Sequence, residues 1–476
     1  MRIKRPLSFW LVLTSFGFAW TLALPFEGTL LYALLERDPL LPESLVFELV
    51  LAVCAGLTGA SFFVRNRQSA LWYFRLTLLF CLGVTLFAFV PSPWLRPLLW
   101  LACLSMGINV ASLALYTVCL ETPLQRYRAM ADVLIYGNIW MIASNVLTVN
   151  LSIEAGLMVC ALSLCAGLYG TSGIEQAAAE SSPPHIPLAP GASILGPLAF
   201  LTAFIIIICI NSGLMYQVLV PAFRGVKGFA SFYWAIPYIA AICIMRRFPA
   251  LLGPKQILFT ALSMNGLAFL SFAMLDRSLP SYLVVNTLML FACGIYDLFW
   301  WSVLACLSRW HRNPALVMGI GLGGNVLGVL IGGVIGDTLF TMQSDMELLL
   351  YAVPLALFVI CIIMTLLNPL HKLLRPYVWD SPFLKDDVGK ETITETILVP
   401  VSSAEEQSSL PDNLTEQERR IADLIHKGRT YDIIAEELFI SKNTVKFHIK
   451  NIYAKCGVGN KAEFIRFLKA ASGKKD

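Results

Sequence analysis

The sequence predicts an all-α polytopic membrane protein of 12 transmembrane helices, arranged as two sets of six and followed by a small four-helix domain. Three observations predict it. The first is composition: 57% of the 476 residues are apolar and 14% charged, against roughly 45–50% and about 25% in soluble domains. The second is a series of apolar runs of about 20 residues, the length that crosses a bilayer as a helix. The third is a change of character after residue 410, where charge rises and apolar residues recur at helical spacing.

The runs fall at 8–34, 45–64, 69–90, 97–119, 131–153 and 154–173, then at 194–218, 229–248, 255–276, 281–307, 315–340 and 347–370. Between the two sets, 174–193 carries Ala177 to Ala179, Ser181, Ser182, Pro183, Pro184 and further prolines, and reads as a linker. The halves are thus about 1–173 and 194–375. The basic N-terminus, Met1 to Arg5, leads into a run too long for a signal-peptide core, with no small-residue cleavage site closing it. A retained first helix is expected.

Lys and Arg set orientation. With the N-terminus in the cytoplasm, the loops place 14 of these residues inside and five outside, and an even number of spans returns the C-terminus to the cytoplasm. The expected location is a bacterial cell membrane, with both termini cytoplasmic.

Ionisable groups in a bilayer are costly and usually face a cavity or a partner. Glu27, Arg75 and Asp297 lie well inside runs, while Glu48, Asp132 and Asp337 lie nearer their ends. Asp297 sits in Ile295-Tyr-Asp-Leu-Phe-Trp-Trp301. A carboxylate among aromatic rings suits a cationic or hydrogen-bonding ligand. Glu27, Tyr136, Asn138, Tyr296 and Asp297 are the candidate pocket residues; the plainer reading pairs them between helices. In the eleventh run, Gly319, Gly323, Gly324, Gly328, Gly332 and Gly336 are expected to form one smooth face for close packing.

Twelve helices divided six plus six by a cytoplasmic linker resemble the major facilitator superfamily, whose halves enclose a cavity near mid-membrane. The resemblance covers residues 1–375 and rests on architecture. In the family's loop pattern after helix 2, Gly59 and Arg67 match and Phe63 stands at the acidic position.

Residues 376–413 form an acidic linker: 381–410 holds six Asp/Glu and two Lys/Arg. As a flexible chain it spans roughly 35 Å. The final domain, 414–472, opens with a capping box, Thr415 with Glu418, before Ile421, Leu424 and Ile425. Gly428 ends that helix and Thr430 caps a second, which buries Ile433, Ile434, Ala435 and Leu438. Ser441 caps a third, with Val445, Ile449, Ile452 and Tyr453 on its dry face and Lys442, Lys446 and Lys450 elsewhere. A fourth runs from about Asn460 to Ala470. Residues 440–476 carry nine Lys/Arg and two acids, a balance that suits phosphate.

This segment resembles the LuxR-type (FixJ/NarL) helix-turn-helix domain. The matching residues include Leu414-Thr415, Glu418, Gly428, Ile434-Ala435, Ile440-Ser441, Thr444-Val445-Lys446, Asn451-Ile452, Lys455, Gly457-Val458 and Glu463, in an ungapped stretch of about 50 residues. The resemblance implies that the third helix enters the major groove. Lys446, Phe447 and Lys450 would then approach base edges, and Thr430, Lys442, Asn451 and Lys455 would hold phosphates. It also implies a homodimer on DNA through the last helix, with Phe464 and Phe467 at the partner surface or, alternatively, packed within the domain.

No Ser/His/Asp set, phosphate loop or metal-ligand cluster is evident, and 11 of the 12 cysteines sit singly in apolar runs. No enzyme, metal or cofactor is expected. The partners expected are double-stranded DNA, the lipid bilayer and a small-molecule ligand. The sequence thus points to a one-component regulator that senses a ligand in the membrane, with a transporter carrying a DNA-binding tail as the alternative.

Overall fold

In a bilayer every backbone polar group must be satisfied internally, and an apolar run achieves this as a helix. A computed structural model of the chain follows that rule. It describes residues 5–180 and 193–378 apart from 27–28, 43, 217–221, 224, 226, 234, 250–253 and 341–344, together with 415–426 and scattered positions from 434 to 464. The chain forms two compact units, Met1–Thr392 and Ile393–Asp476. Each is described by itself.

The first unit contains α1 (Leu7–Leu24), α2 (Leu45–Phe63), α3 (Arg67–Phe87), α4 (Leu95–Thr117), α5 (Pro123–Asn150) and α6 (Ile153–Gly170). Its second half contains α7 (Leu195–Leu214), α8 (Ile236–Arg247), α9 (Pro254–Met274), α10 (Leu279–Leu307), α11 (Pro314–Phe340) and α12 (Asp345–Val378). Polar caps mark several starts. Asn66 and Ser69 form a capping box at α3, Thr122 and Gln125 another at α5, and Ser152 caps α6.

Four departures from the sequence expectation have local causes. Eleven helices among the described residues are long and apolar enough to cross a membrane, and the eighth run is not one of them. It divides into Lys227–Tyr233 and α8, and Pro237 lies in the first turn of α8, where its missing N–H costs nothing. The first run is also interrupted, by a 3₁₀ turn at Ser15–Gly17 and a π stretch at Leu22–Phe26 that holds Pro25. A separate helix, Thr29–Arg37, follows.

The third departure is in the expected linker, whose opening residues are a helix, Ile174–Glu180. Ile174, Ala177 and Ala178 recur at helical spacing and are buried, and alanine is the strongest helix former. Finally, α12 continues three residues past the expected end of the membrane domain. There Tyr377 offers its carbonyl to the Trp310 indole at 3.1 Å.

The glycines of α11 serve two faces rather than one. A Cβ at Gly319 would strike the Leu57 carbonyl and one at Gly323 the Thr58 side chain, both on α2. Gly324, Gly328 and Gly332 instead meet Thr202, Ile206 and Ile210 on α7. One residue turns a 3.6-residue helix by about 100°, so the step from Gly323 to Gly324 hands contact from one neighbour to the other. Helix α11 therefore packs closely against α2 of the first half and α7 of its own.

In the second unit, α13 (Glu416–His426) begins at the expected capping box. The Thr415 N–H donates to Glu418 Oε2 at 2.8 Å, and the Glu418 N–H donates to Thr415 Oγ1 at 3.3 Å. Ile421, Ala422, Ile425, Ile434, Ile449, Ile452 and Phe464 form a separate small core.

Candidate ligand cavity and DNA-binding domain

A cavity of about 120 Å³ lies between the two halves of the membrane unit. The first half contributes Phe18, Thr21 and Leu22 from α1, Val53 and Leu57 from α2, Val110 from α4, and Leu134 and Asn138 from α5. The second half contributes Ser212 and Tyr216, Tyr238 from α8, several residues of α10, and Leu322, Asn325, Val326 and Val329 from α11. Irregular backbone adjoins it on both sides, since Leu22 lies in the π stretch of α1 and π geometry recurs at Met215–Tyr216, after α7. Inside a membrane such breaks are tolerated where they line a cavity or are covered by protein.

Helix α10 supplies the most distinctive wall. Tyr296, Asp297, Trp300 and Trp301 follow one another within little more than a turn, and all line the cavity. Tyr296 and Trp300 stack with ring centroids 6.0 Å apart, while Trp301 meets Phe18 of the other half at 5.3 Å. The Tyr238 hydroxyl donates to Asp297 Oδ2 at 2.6 Å, which holds the carboxylate in place. The buried Trp300 Nε1–H has no hydrogen-bond partner among the described residues.

Of the five expected pocket residues, Asn138, Tyr296 and Asp297 therefore come together. Tyr136 does not: it is 44% exposed and packs against Phe16. Two residues earlier than Asn138, it points to another face of α5. Glu27 lies outside the described residues. Tyr238, Trp300 and Trp301 were missed as individual positions. The two tryptophans stood in the stretch that singled out Asp297, whereas nothing local marks Tyr238, which reaches Asp297 from a different helix.

Other polar groups found partners between helices. Arg75 donates to the Thr171 hydroxyl and carbonyl, both at 3.3 Å, and Glu48 pairs with Arg96 at 2.7 Å. Asn145 accepts from Thr29 at 3.0 Å, and Asn211 donates to the Ala356 carbonyl at 3.2 Å.

Polar contacts also cross between the halves at one end of the bundle. Arg246 of α8 grips Asp132 of α5 through two hydrogen bonds, Nε to Oδ1 at 2.6 Å and Nη2 to Oδ2 at 2.9 Å. Close by, Tyr127 donates to the Met245 carbonyl at 3.1 Å. Arg309 donates to the Glu121 carbonyl at 3.2 Å and Asn313 to the Ser61 carbonyl at 3.4 Å. With the close approach of α2 and α11, these contacts form a seam between the halves.

In the second unit, Thr430, Lys442, Lys446, Phe447, Lys450 and Phe467 lie outside the described residues. Asn451 is half-buried on a helical segment. Lys455 has a partner within the domain, its Nζ lying 2.7 Å from Glu418 Oε2. That ammonium, followed by the Thr415 N–H and hydroxyl, holds the Glu418 carboxyl below its usual range. Phe464 is fully buried, with its ring 5.5 Å from Tyr453. Of its two expected roles, this burial is the one that packing within the domain requires.

Residues 412–468 match the family of bacterial regulatory proteins described as the luxR family, GerE. They form a LuxR-family domain. The LuxR-type segment is 41% identical over 61 residues to the monoamine regulon transcriptional regulator of Klebsiella aerogenes, covering 13% of this chain and 27% of that one. It is 40% identical over 53 residues to the transcriptional regulator MalT of Yersinia pestis, covering 11% and 6%. The chain thus spans 27% of the first relative's length and 6% of the second's.

The part ahead of the LuxR-type domain shares the fold of major facilitator transporters. The human organic anion transporter MFSD10 (TETRAN) superposes with TM-score 0.57 at 18% identity, covering 75% of this chain and 98% of that one. A bacterial homologue of the iron transporter ferroportin, outward-facing with soaked iron, gives 0.56 at 16% identity, covering 78% and 99%. At such identity the likeness concerns the fold alone.

Proposed function

We propose that this chain is a membrane-embedded, one-component transcriptional regulator. A small ligand entering the cavity changes the balance between closed and open arrangements of the two halves, and that change alters DNA binding by the LuxR-type domain. The observation that carries this reading is that one polypeptide holds both a two-sided polar and aromatic cavity and a LuxR-family domain. A ligand shifts such an equilibrium in proportion to its preference for one arrangement. The seam at Arg246 and Asp132 supplies a device with two arrangements, held or released.

In this reading the protein sits in a bacterial cell membrane with both termini and the seam on the cytoplasmic side. The LuxR-type domain binds double-stranded DNA as a homodimer. Lys446, Phe447 and Lys450 face base edges, and Thr430, Lys442, Asn451 and Lys455 face phosphates. A phosphate contact by Lys455 uses ammonium donors left over from Glu418. With Phe464 buried, Phe467 remains the candidate for the dimer surface. No catalytic step is invoked.

A reporter strain tests the proposal. Replacing residues 1–375 with one inert transmembrane span should abolish inducible regulation while leaving DNA binding intact; induction that survived would place sensing elsewhere. On the DNA side, Lys446→Ala and Lys450→Ala should each weaken operator binding and flatten its salt dependence. Unchanged affinity and slope would contradict the placement of the third helix.

The transporter fold favours one alternative, active transport by a protein whose DNA-binding tail reports on it. Gradient-driven uptake into vesicles that disappeared with Asp297→Asn would favour that alternative.

A further inference from the structure

We infer that a recess at the seam end of the membrane unit, headed by Arg126, takes a phosphate group. The recess shares no lining residue with the cavity, and the inference does not rest on the sensor reading. Three observations carry it.

Charge comes first. Arg126, near the start of α5, is 3% exposed. Its Nη1 donates to the Leu120 carbonyl at 2.6 Å, while its buried Nε–H has no hydrogen-bond partner among the described residues. No described carboxylate forms an ion pair with it. A buried guanidinium that lacks both an acceptor and a counter-charge is costly, and an anion accepting from Nε–H supplies both. Arg309, half-buried in the turn after α10, stands close enough for the two guanidiniums to repel each other.

Shape comes next. Arg126 enters the recess from the first half, Arg309 and Trp310 from the turn after α10, and Tyr377 and Val378 from the end of α12. The volume of about 10 Å³ is close to the ~10–15 Å³ that one water-sized group needs. One terminal oxygen therefore enters, and the rest of the group stays at the mouth, where its other oxygens reach Arg309. A phosphate can engage two guanidinium forks in this way, whereas a halide offers a single atom. The Trp310 indole already donates to the Tyr377 carbonyl at 3.1 Å, so the arginines supply the donors.

Position is the third observation. Trp310 and Tyr377 meet edge to face at 5.8 Å beside the recess, and such aromatic residues settle at the level of lipid headgroups. Basic pockets between helices at that level bind headgroup phosphates. The group thus has two sources, an anionic lipid headgroup or free phosphate. An occupied site ties α5 of the first half to α10 and α12 of the second. It also fixes the last turn of α12, beyond which the chain runs into the acidic linker.

Thermal melting of the full-length protein in phosphorus-free maltoside micelles tests the inference. The probes are inorganic phosphate, phosphatidylglycerol added to the micelles, and sodium chloride at matched ionic strength. Phosphate or phosphatidylglycerol should raise the melting temperature saturably, and chloride should not; whichever probe acts at the lower concentration names the source. Arg126→Lys keeps the charge but loses the fork, and should raise the midpoint concentration by about tenfold. Arg65→Gln removes an exposed arginine and should leave the midpoint unchanged. Converting Asp380 and the six acids of 381–410 to amides should also leave it unchanged. No response to either phosphate probe, an equal response to chloride, or an unchanged midpoint in Arg126→Lys overturns the assignment. A response gained only when the linker acids are neutralised overturns it too, and assigns the recess to the chain's own carboxylates. If Arg126→Lys does not fold, the wild-type probes still decide between phosphate and chloride.

Discussion

Replacing Asp132 with Asn should loosen the seam between the halves, and the geometry sets the size of the effect. Two parallel N–H···O bonds, at 2.6 and 2.9 Å, join a guanidinium to a carboxylate, the strong bidentate arrangement. The Arg246 and Asp132 side chains are 41% and 21% exposed, however, so solvent screens part of the attraction. Fully exposed pairs contribute up to about 1 kcal/mol, and losing one partner of a buried pair costs about 3–5 kcal/mol. A half-screened pair at a bundle end belongs near the lower figure, at about 1–2 kcal/mol. That corresponds to a shift of roughly 5–30-fold in the ratio of closed to open seam. Spin labels introduced at the exposed positions Glu121 and Arg312, which flank the seam from opposite halves, report that ratio by electron–electron distance measurement in nanodiscs. Asp132→Asn should raise the population of longer distances, and Arg246→Ala should do the same. An unchanged distance distribution in both variants would refute the idea that this pair holds the seam.

Other consequences can be checked more briefly. Gly319→Leu would drive a side chain into the Leu57 carbonyl; it should cost about 1–3 kcal/mol, visible as a lower melting temperature or a seam held apart in the same distance measurement. Phe464→Ala empties the middle of a small core and should destabilise the LuxR-type unit by about 3–5 kcal/mol in denaturant titration, whereas a dimer-surface residue would instead change concentration dependence. Glu418 titrates below its ordinary range in the folded domain. Its contribution to stability is therefore complete above the usual carboxylate pKa and is lost as pH falls through the lowered folded value. Glu418→Gln should flatten this acid limb of the stability curve, and a limb of unchanged steepness would show that the Lys455 pair contributes little.

Apolar length sufficed to read 11 of the helices, because a bilayer leaves a run of that kind no other way to satisfy its backbone. The capping box at Thr415 and Glu418 was likewise legible, since its partners lie three residues apart and depend on nothing distant. The broken eighth helix was hidden by its own hydrophobicity, which continues from Tyr233 into Ile236 and masks the interruption. Tyr136 and Asn138 illustrate a different limit. Both are polar groups in one span, and only the rotation of α5 separates the exposed residue from the one at the cavity.

The sequence by itself determined the membrane architecture, the position of the LuxR-type domain and the chemical oddity of Asp297 among aromatic residues. All of these are written in runs, caps and near-neighbour spacings. Tertiary structure alone decided that Tyr238 holds Asp297, that Arg246 meets Asp132 and that the glycines of α11 divide between α2 and α7. Those contacts join residues separated by 59 and 114 positions, or more than a hundred in the case of the glycines. Helical periodicity orders the faces of a single helix, but which faces meet is fixed when the helices pack.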